Sequence, residues 1–200
     1  MLIWINGAFG AGKSHTAFEL RRRLAEAHLA DPELLGSALH RMLPQAMRGD
    51  FQDLPLWRSV VVETLHQAAA SHAGPLLVPM TIVNDDYFDE IVGGLRERGV
   101  DVRHYTLVAS PATLRRRLGT RLGFIRSGGR RETWAMRQIP RCVEQLAQDR
   151  YGTHVRTDDR PLDEIVEWIA ADAGLDLVGP RLSPVRFQMR RLQVAAQLIR

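Results

Sequence analysis

Eight residues near the amino terminus, Gly7-Ala8-Phe9-Gly10-Ala11-Gly12-Lys13-Ser14, constrain this chain more than anything else in it. A glycine, four residues, then Gly-Lys-Ser is the spacing of a phosphate-binding loop, or P-loop. The lysine is singular: of 27 basic residues it alone is a lysine, and all the others are arginine. An ammonium is a compact point charge that reaches between phosphate oxygens, whereas a guanidinium fork is planar and wider. Ahead of the loop, Leu2-Ile3-Trp4-Ile5-Asn6 is uncharged and rich in β-branched and aromatic side chains, the pattern of a short buried strand. Behind it, Ala17, Leu20, Leu24 and Ala27 recur at helical spacing, with Glu19 and the arginines 21–23 between them. Strand, loop, helix is the order that turns loop N–H groups and a helix N-terminus onto one phosphate chain. The expected triphosphate site comprises Gly7, Ala8, Phe9, Gly10, Ala11, Gly12, Lys13, Ser14 and His15. In it, Lys13 bridges the β- and γ-phosphates and Ser14 ligates Mg²⁺.

Two hundred residues suit one compact domain with a sizeable core. A single cysteine, Cys142, excludes an internal disulfide and Cys-rich zinc sites, and fits a reducing compartment. It falls in an expected helix, where a small buried apolar role is the natural one. The amino terminus lacks the basic and long apolar regions of a signal peptide, and no run is long enough to span a membrane. A cytoplasmic protein is expected.

The net charge of +4 is unevenly distributed. Residues 115–131 hold seven arginines and no acid, residues 181–200 hold five and no acid, and the rest of the chain is acidic. Positive charge confined to two short segments argues for local tasks rather than a general affinity for nucleic acid.

Along the chain, His28-Leu29-Ala30 reads as a second strand ending at Asp31, and Pro32 opens a helix through Met42. Residues 49–53 form a loop, and Pro55 opens a helix with Trp57, Val61 and Leu65 on one face. The apolar run 75–83 reads as a central strand, interrupted in character by Pro79. Asn84 caps a helix through Tyr87, Ile91 and Leu95; residues 100–108 are the next strand; Ser110-Pro111 starts a helix through Leu118. A helix from Glu132 to Asp149 is expected to kink or break at Pro140, before a last strand over 153–157 and a last helix over 162–171. Alternation of this kind predicts an α/β fold. The expected architecture is a P-loop, kinase-like α/β/α sandwich on a five-stranded parallel sheet. Its core domain would span 1–174, with a short lid at about 120–132 and a basic helical tail at 175–200.

The lid expectation rests on Arg115, Arg116, Arg117, Arg121, Arg126, Arg130 and Arg131, interleaved with glycines at 119, 123, 128 and 129. A closing lid brings cations to the transferring phosphoryl group and keeps water out. Arg117 or Arg121 would lie against the adenine or the phosphates, and Arg130 with its neighbours would swing in. Phosphoryl transfer to a hydroxyl also calls for a carboxylate to orient or deprotonate it. Asp31, 18 residues after Lys13 at the carboxyl end of a strand, is the candidate, and equally a good cap for the next helix. Glu33 is the fallback, while Asp50 and Asp53 read as turn or cap residues. No aspartate directly follows the apolar run; Asp85 and Asp86 come after Asn84. Magnesium is therefore expected on Ser14, phosphates and water, with Asp31 in its outer sphere.

Several strings then carry a specific resemblance. Trp4-Ile5-Asn6-Gly7-Ala8-Phe9-Gly10, Val78-Pro79-Met80-Thr81-Ile82-Val83, Asp50-Phe51-Gln52, Pro55-Leu56-Trp57-Arg58, Gln138-Ile139 and Arg141-Cys142-Val143-Glu144 resemble the tunicamycin resistance protein family over most of residues 1–173. The resemblance implies ATP binding at Gly7 to Ser14 in a cytoplasmic P-loop protein. It also implies a nucleoside antibiotic or sugar-nucleotide-like ligand opposite the phosphates. More distantly the chain resembles small kinases of shikimate and gluconate type, in which an acid near the position of Asp31 serves the substrate hydroxyl. Arginine and glycine are denser over 121–131 than in the family.

Val185, Met189, Leu192, Ala196 and Ile199 make a helical stripe in the tail, suited to an anionic membrane surface, to its own domain or to a second subunit in a homodimer. Three functions follow. The first is an ATP-dependent phosphotransferase acting on a nucleoside antibiotic; the others are an ATP-gated protein that sequesters the drug and a housekeeping small-molecule kinase.

Overall fold

The uncharged run at the amino terminus forms β1 (Leu2–Gly7), and every residue of it is buried. A computed structural model of the chain describes residues 1–120 and 130–183, together with Arg186 and Met189. After β1 come α1 (Lys13–Arg23), β2 (His28–Leu29), α2 (Glu33–Met42), α3 (Pro55–Ser71) and β3 (Leu76–Pro79). Then follow α4 (Asp85–Phe88), α5 (Gly94–Glu97), β4 (Val102–Val108), α6 (Pro111–Gly119), α7 (Arg130–Gln145), β5 (Thr153–Arg156) and α8 (Leu162–Asp172). The five strands are parallel, in the order β2-β3-β1-β4-β5. β1 thus sits at the centre, and the P-loop leaves the middle of the sheet's carboxyl edge.

Most expected elements form where the patterns place them, for visible reasons. Ser110 accepts from the backbone N–H of Thr113 and starts α6, and Asn84 accepts from that of Tyr87 and starts α4. A π turn over Asp89–Gly93 joins α4 to α5, so Phe88, Ile91, Val92 and Leu95 all face the core. Two expectations change. The central strand ends at Pro79 rather than Val83, because proline brings no N–H to the ladder; Met80 to Ile82 stay buried beyond it, held by side chains of β1. And α7 runs unbroken through Pro140, ending at Gln145 instead of Asp149, with Ile139 and Cys142 anchoring its inner face and Leu146 buried just beyond it. That burial outweighs the missing backbone hydrogen bond.

Trp4, Trp57, Tyr105 and Tyr151 are the largest fully buried side chains. Each indole still finds a partner, Trp4 on the carbonyl of Met80 and Trp57 on that of Pro32. The segment after α8 docks on α1: the backbone N–H groups of Val178 and Gly179 both donate to the Arg23 carbonyl. Arg23 is itself buried and paired with Asp163 and Glu167. Arg181 pairs with Glu167 as well, and the two arginines hold that carboxyl at about 2. The remaining tail stripe lies outside the described residues, save Arg186 and Met189.

Candidate active site

The site is built at the carboxyl edge of the sheet, from β1 outward. Asn6, fully buried at the end of β1, accepts at Oδ1 from the N–H of Gly7 (2.8 Å) and of Ile82 (3.1 Å), and donates from Nδ2 to the Ile82 carbonyl (2.8 Å). One amide therefore ties the P-loop's first residue to the chain leaving β3. Gly7 needs to be glycine: a Cβ there would stand 2.7 Å from the Leu107 carbonyl of β4. At Gly12, φ of +109° turns the chain into α1 without a side-chain cap. The first-turn N–H groups of α1 are thus directed into the loop, with no acid in that turn to oppose an anion.

Lys13 lies back across this loop. Its Nζ donates to the carbonyls of Gly7 (2.9 Å) and Ala8 (3.2 Å) and stands 5.5 Å from the centre of the Phe9 ring. Ser14 and His15 follow in the first turn, both half-buried. The rings of Phe9 and Trp134 of α7 meet edge to face, 5.1 Å between centres, which joins the loop to the helix that follows the arginine-rich segment. Cys142 on that helix is buried, and burial pushes its thiol up, with Lys13 acting weakly the other way. It is a packing residue, not a nucleophile.

Arg117, at the end of α6, reaches over the loop: its guanidinium donates to the Ala11 carbonyl (3.4 Å) and to the hydroxyl (3.0 Å) and carbonyl of Thr157, just past β5. It therefore clamps the P-loop to the end of the sheet. Next to it, Asp158 accepts from the backbone and hydroxyl of Ser110, which hold its carboxyl below the usual range. Arg121 and Arg126, with residues 121–129 of the expected lid, lie outside the described residues. Arg130 and Arg131 begin α7, and their side chains also lie outside them.

On the other flank, Asp31 stands at the carboxyl end of β2, half-buried, and its Oδ1 accepts from the N–H of Glu33 (3.0 Å). That bond makes a turn just ahead of α2, whose N-cap is Pro32 and not Asp31, and β2 lies two strands from β1 in the sheet. Asp50 caps the 3₁₀ turn Phe51–Asp53 through Gln52, and Asp53 accepts from the Tyr87 hydroxyl (2.9 Å), which raises that phenol. Asp85, by contrast, accepts from the Tyr151 hydroxyl and pairs with Arg150. The sequence offers Arg58 only as the end of the string Pro55-Leu56-Trp57-Arg58, with no role of its own. It is buried, bonded to Glu90 and to the Gln52 carbonyl, and stacked 4.3 Å from the centre of the Tyr87 ring. A cation beside Trp57 on an apolar helix face was the available signal.

A central P-loop strand in a parallel sheet of order 2-3-1-4-5, with a cradle of this geometry, defines a kinase-like nucleotide-binding protein. A family model described as an AAA domain matches residues 2–124. The structure is similar to that of the tunicamycin resistance protein of Deinococcus radiodurans, at 32% identity, covering 90% of this chain and 99% of that one, with a TM-score of 0.71. The chain belongs to the AAA-domain group of P-loop proteins and, within it, to the family of that resistance protein. A gluconokinase of Sinorhizobium meliloti 1021 shares the fold, at 20% identity, 86% and 90% coverage and a TM-score of 0.57. So does the APS kinase of Mycobacterium tuberculosis, solved with AMPPNP and APS, at 15%, 86% and 96%, and 0.58. No curated protein matches the chain. Among the described residues no helix is long and apolar enough to cross a membrane.

Proposed function

We propose that this protein transfers the γ-phosphate of ATP to a hydroxyl of a nucleoside antibiotic such as tunicamycin, in the cytoplasm, and so confers resistance. The observation that supports it most is Asp31: a carboxylate on the same sheet edge as Lys13, in a chain 32% identical to a tunicamycin resistance protein over 90% of its length. In this reading the loop N–H groups and Lys13 hold the β- and γ-phosphates, and Arg117 braces the loop against the nucleoside end. Asp31 orients the acceptor hydroxyl and receives its proton. The hydroxyl oxygen bonds to the γ-phosphorus as the bond to the bridging oxygen breaks, and ADP leaves with the electron pair.

The residues fit magnesium in the way a kinase uses it. Among the described residues no three acidic, histidine or cysteine side chains cluster into a protein cage. Ser14, in the first turn of α1, would offer one hydroxyl to the ion beside triphosphate oxygens and water. Bound there, the ion would neutralise charge developing on the phosphates.

A second reading, ATP-dependent binding and sequestration of the drug, is favoured by the segment that leaves β3: Met80, Thr81 and Ile82 stand there, with no acid such as many P-loop enzymes carry after this strand. Mass spectrometry of tunicamycin incubated with ATP, Mg²⁺ and the protein separates the two. Gain of one phosphate supports transfer; tight binding of unmodified drug supports sequestration; indifference to the drug leaves a kinase of some other small molecule.

A further inference from the structure

Thr81 is buried, and its hydroxyl donates to the Gly7 carbonyl at 2.8 Å. That is the oxygen on which Lys13 Nζ rests at 2.9 Å. The carbonyl of Thr81 in turn accepts from Gln52 Nε2 at 3.0 Å. Gln52 belongs to the 3₁₀ turn Phe51–Asp53, and its own carbonyl takes a hydrogen bond from buried Arg58. Arg58 is fixed by Glu90 and by the Tyr87 ring, whose hydroxyl returns to Asp53. One unbroken path of polar contacts therefore runs from the turn at 51–53 to the ammonium in the phosphate cradle.

We infer that Thr81 is a positioning residue for Lys13, and that Gln52 makes the cradle sensitive to the turn at 51–53. The inference rests on nucleotide binding at the P-loop but not on what accepts the phosphate. A carbonyl oxygen has two lone pairs. The Thr81 hydroxyl takes a share of the acceptor capacity of Gly7 and fixes its peptide plane, while Asn6 holds the N–H of the same residue. Without the hydroxyl, Gly7 keeps a buried oxygen that is less well satisfied and draws the ammonium toward itself, out of line with the loop mouth. An ammonium displaced in this way is felt by the outer phosphates and not by a nucleoside monophosphate.

The test is calorimetry of ATP and of AMP binding to the full chain. Thr81→Val keeps the β-branched shape and removes the hydroxyl. It is expected to weaken ATP about five- to tenfold, the loss of one buried hydrogen bond, while AMP changes less than twofold. Thr81→Ser restores ATP binding. Gln52→Leu, one bond further along and only half-buried, weakens ATP in the same sense by about two- to threefold and serves should Thr81→Val fail to fold. Equal losses for ATP and AMP, or no loss with either variant, overturn the inference. An unmodified protein that takes up no ATP overturns the nucleotide-binding premise itself.

Discussion

The imidazole of His104 lies 2.6 Å, through Nδ1, from the carbonyl of Tyr151, joining β4 to the turn before β5. A carbonyl only accepts, so Nδ1 carries the proton, and Nε2 faces Asn6 Nδ2 at 3.5 Å as an acceptor. The ring is stacked on Trp4 and meets the edge of Phe88. Burial drives its pKa down to about 4, against the raising effect of the Tyr151 bond. The unfolded chain therefore binds a proton between about pH 6.5 and 4 that the folded chain refuses. Stability contributed by neutral His104 is complete above pH 6.5 and is lost as pH falls toward 4, roughly 3 kcal/mol in all. Urea unfolding across this range should show that loss in the unmodified protein and a flatter profile in His104→Gln.

Asp31→Asn separates two roles held by one side chain. Asparagine keeps a side-chain oxygen that accepts from the Glu33 N–H, so thermal stability is expected to change little. It cannot take a proton, so turnover against the acceptor is expected to fall about 10²- to 10⁴-fold, with ATP affinity retained. A loss of stability with turnover intact would leave Asp31 as a turn residue only.

Arg117→Lys is expected to behave like Arg117→Ala. The guanidinium spans the Ala11 carbonyl and both oxygens of Thr157, which a single ammonium does not reproduce. Losing hydrogen bonds from a charged donor costs about 1.5–3 kcal/mol, and calorimetry should show ATP affinity lowered more than tenfold in both variants.

Gly36 on α2 packs directly under the Phe51 ring, where an added Cβ would stand 2.5 Å from Cγ. Gly36→Ala is expected to push Phe51 off Trp57 and destabilise the turn at 51–53 by about 1–3 kcal/mol, read as a lowered Tm. Alanine's better helix propensity offsets at most about 1 kcal/mol of this.

The residues made the phosphate cradle legible because it is local: strand, glycines and lysine are contiguous, and the backbone does most of the work. Caps at Ser110 and Asn84 were legible for the same reason. What depends on pairs far apart in sequence was not. Asn6 with Ile82, and Thr81 with Gly7, meet only because β3 lies beside β1. The strand boundary at Pro79 turned on a missing N–H, whereas the survival of α7 through Pro140 turned on burial that periodicity could not weigh. The burial of Arg58, which stands in the string Pro55-Leu56-Trp57-Arg58, was not legible because patterns assign charge to surfaces, and its partners come from α3's own preceding turn and the π turn before α5.

Lys13→Met, measured by calorimetry with ATP and Mg²⁺, tests the account most directly. Methionine keeps the length of the stem and its packing near Phe9 but removes the charge that meets the phosphates. ATP binding is expected to fall by about two orders of magnitude, the loss of a charge-assisted contact to phosphate, in a protein whose unfolding transition is intact. Undiminished ATP binding by that variant would contradict it.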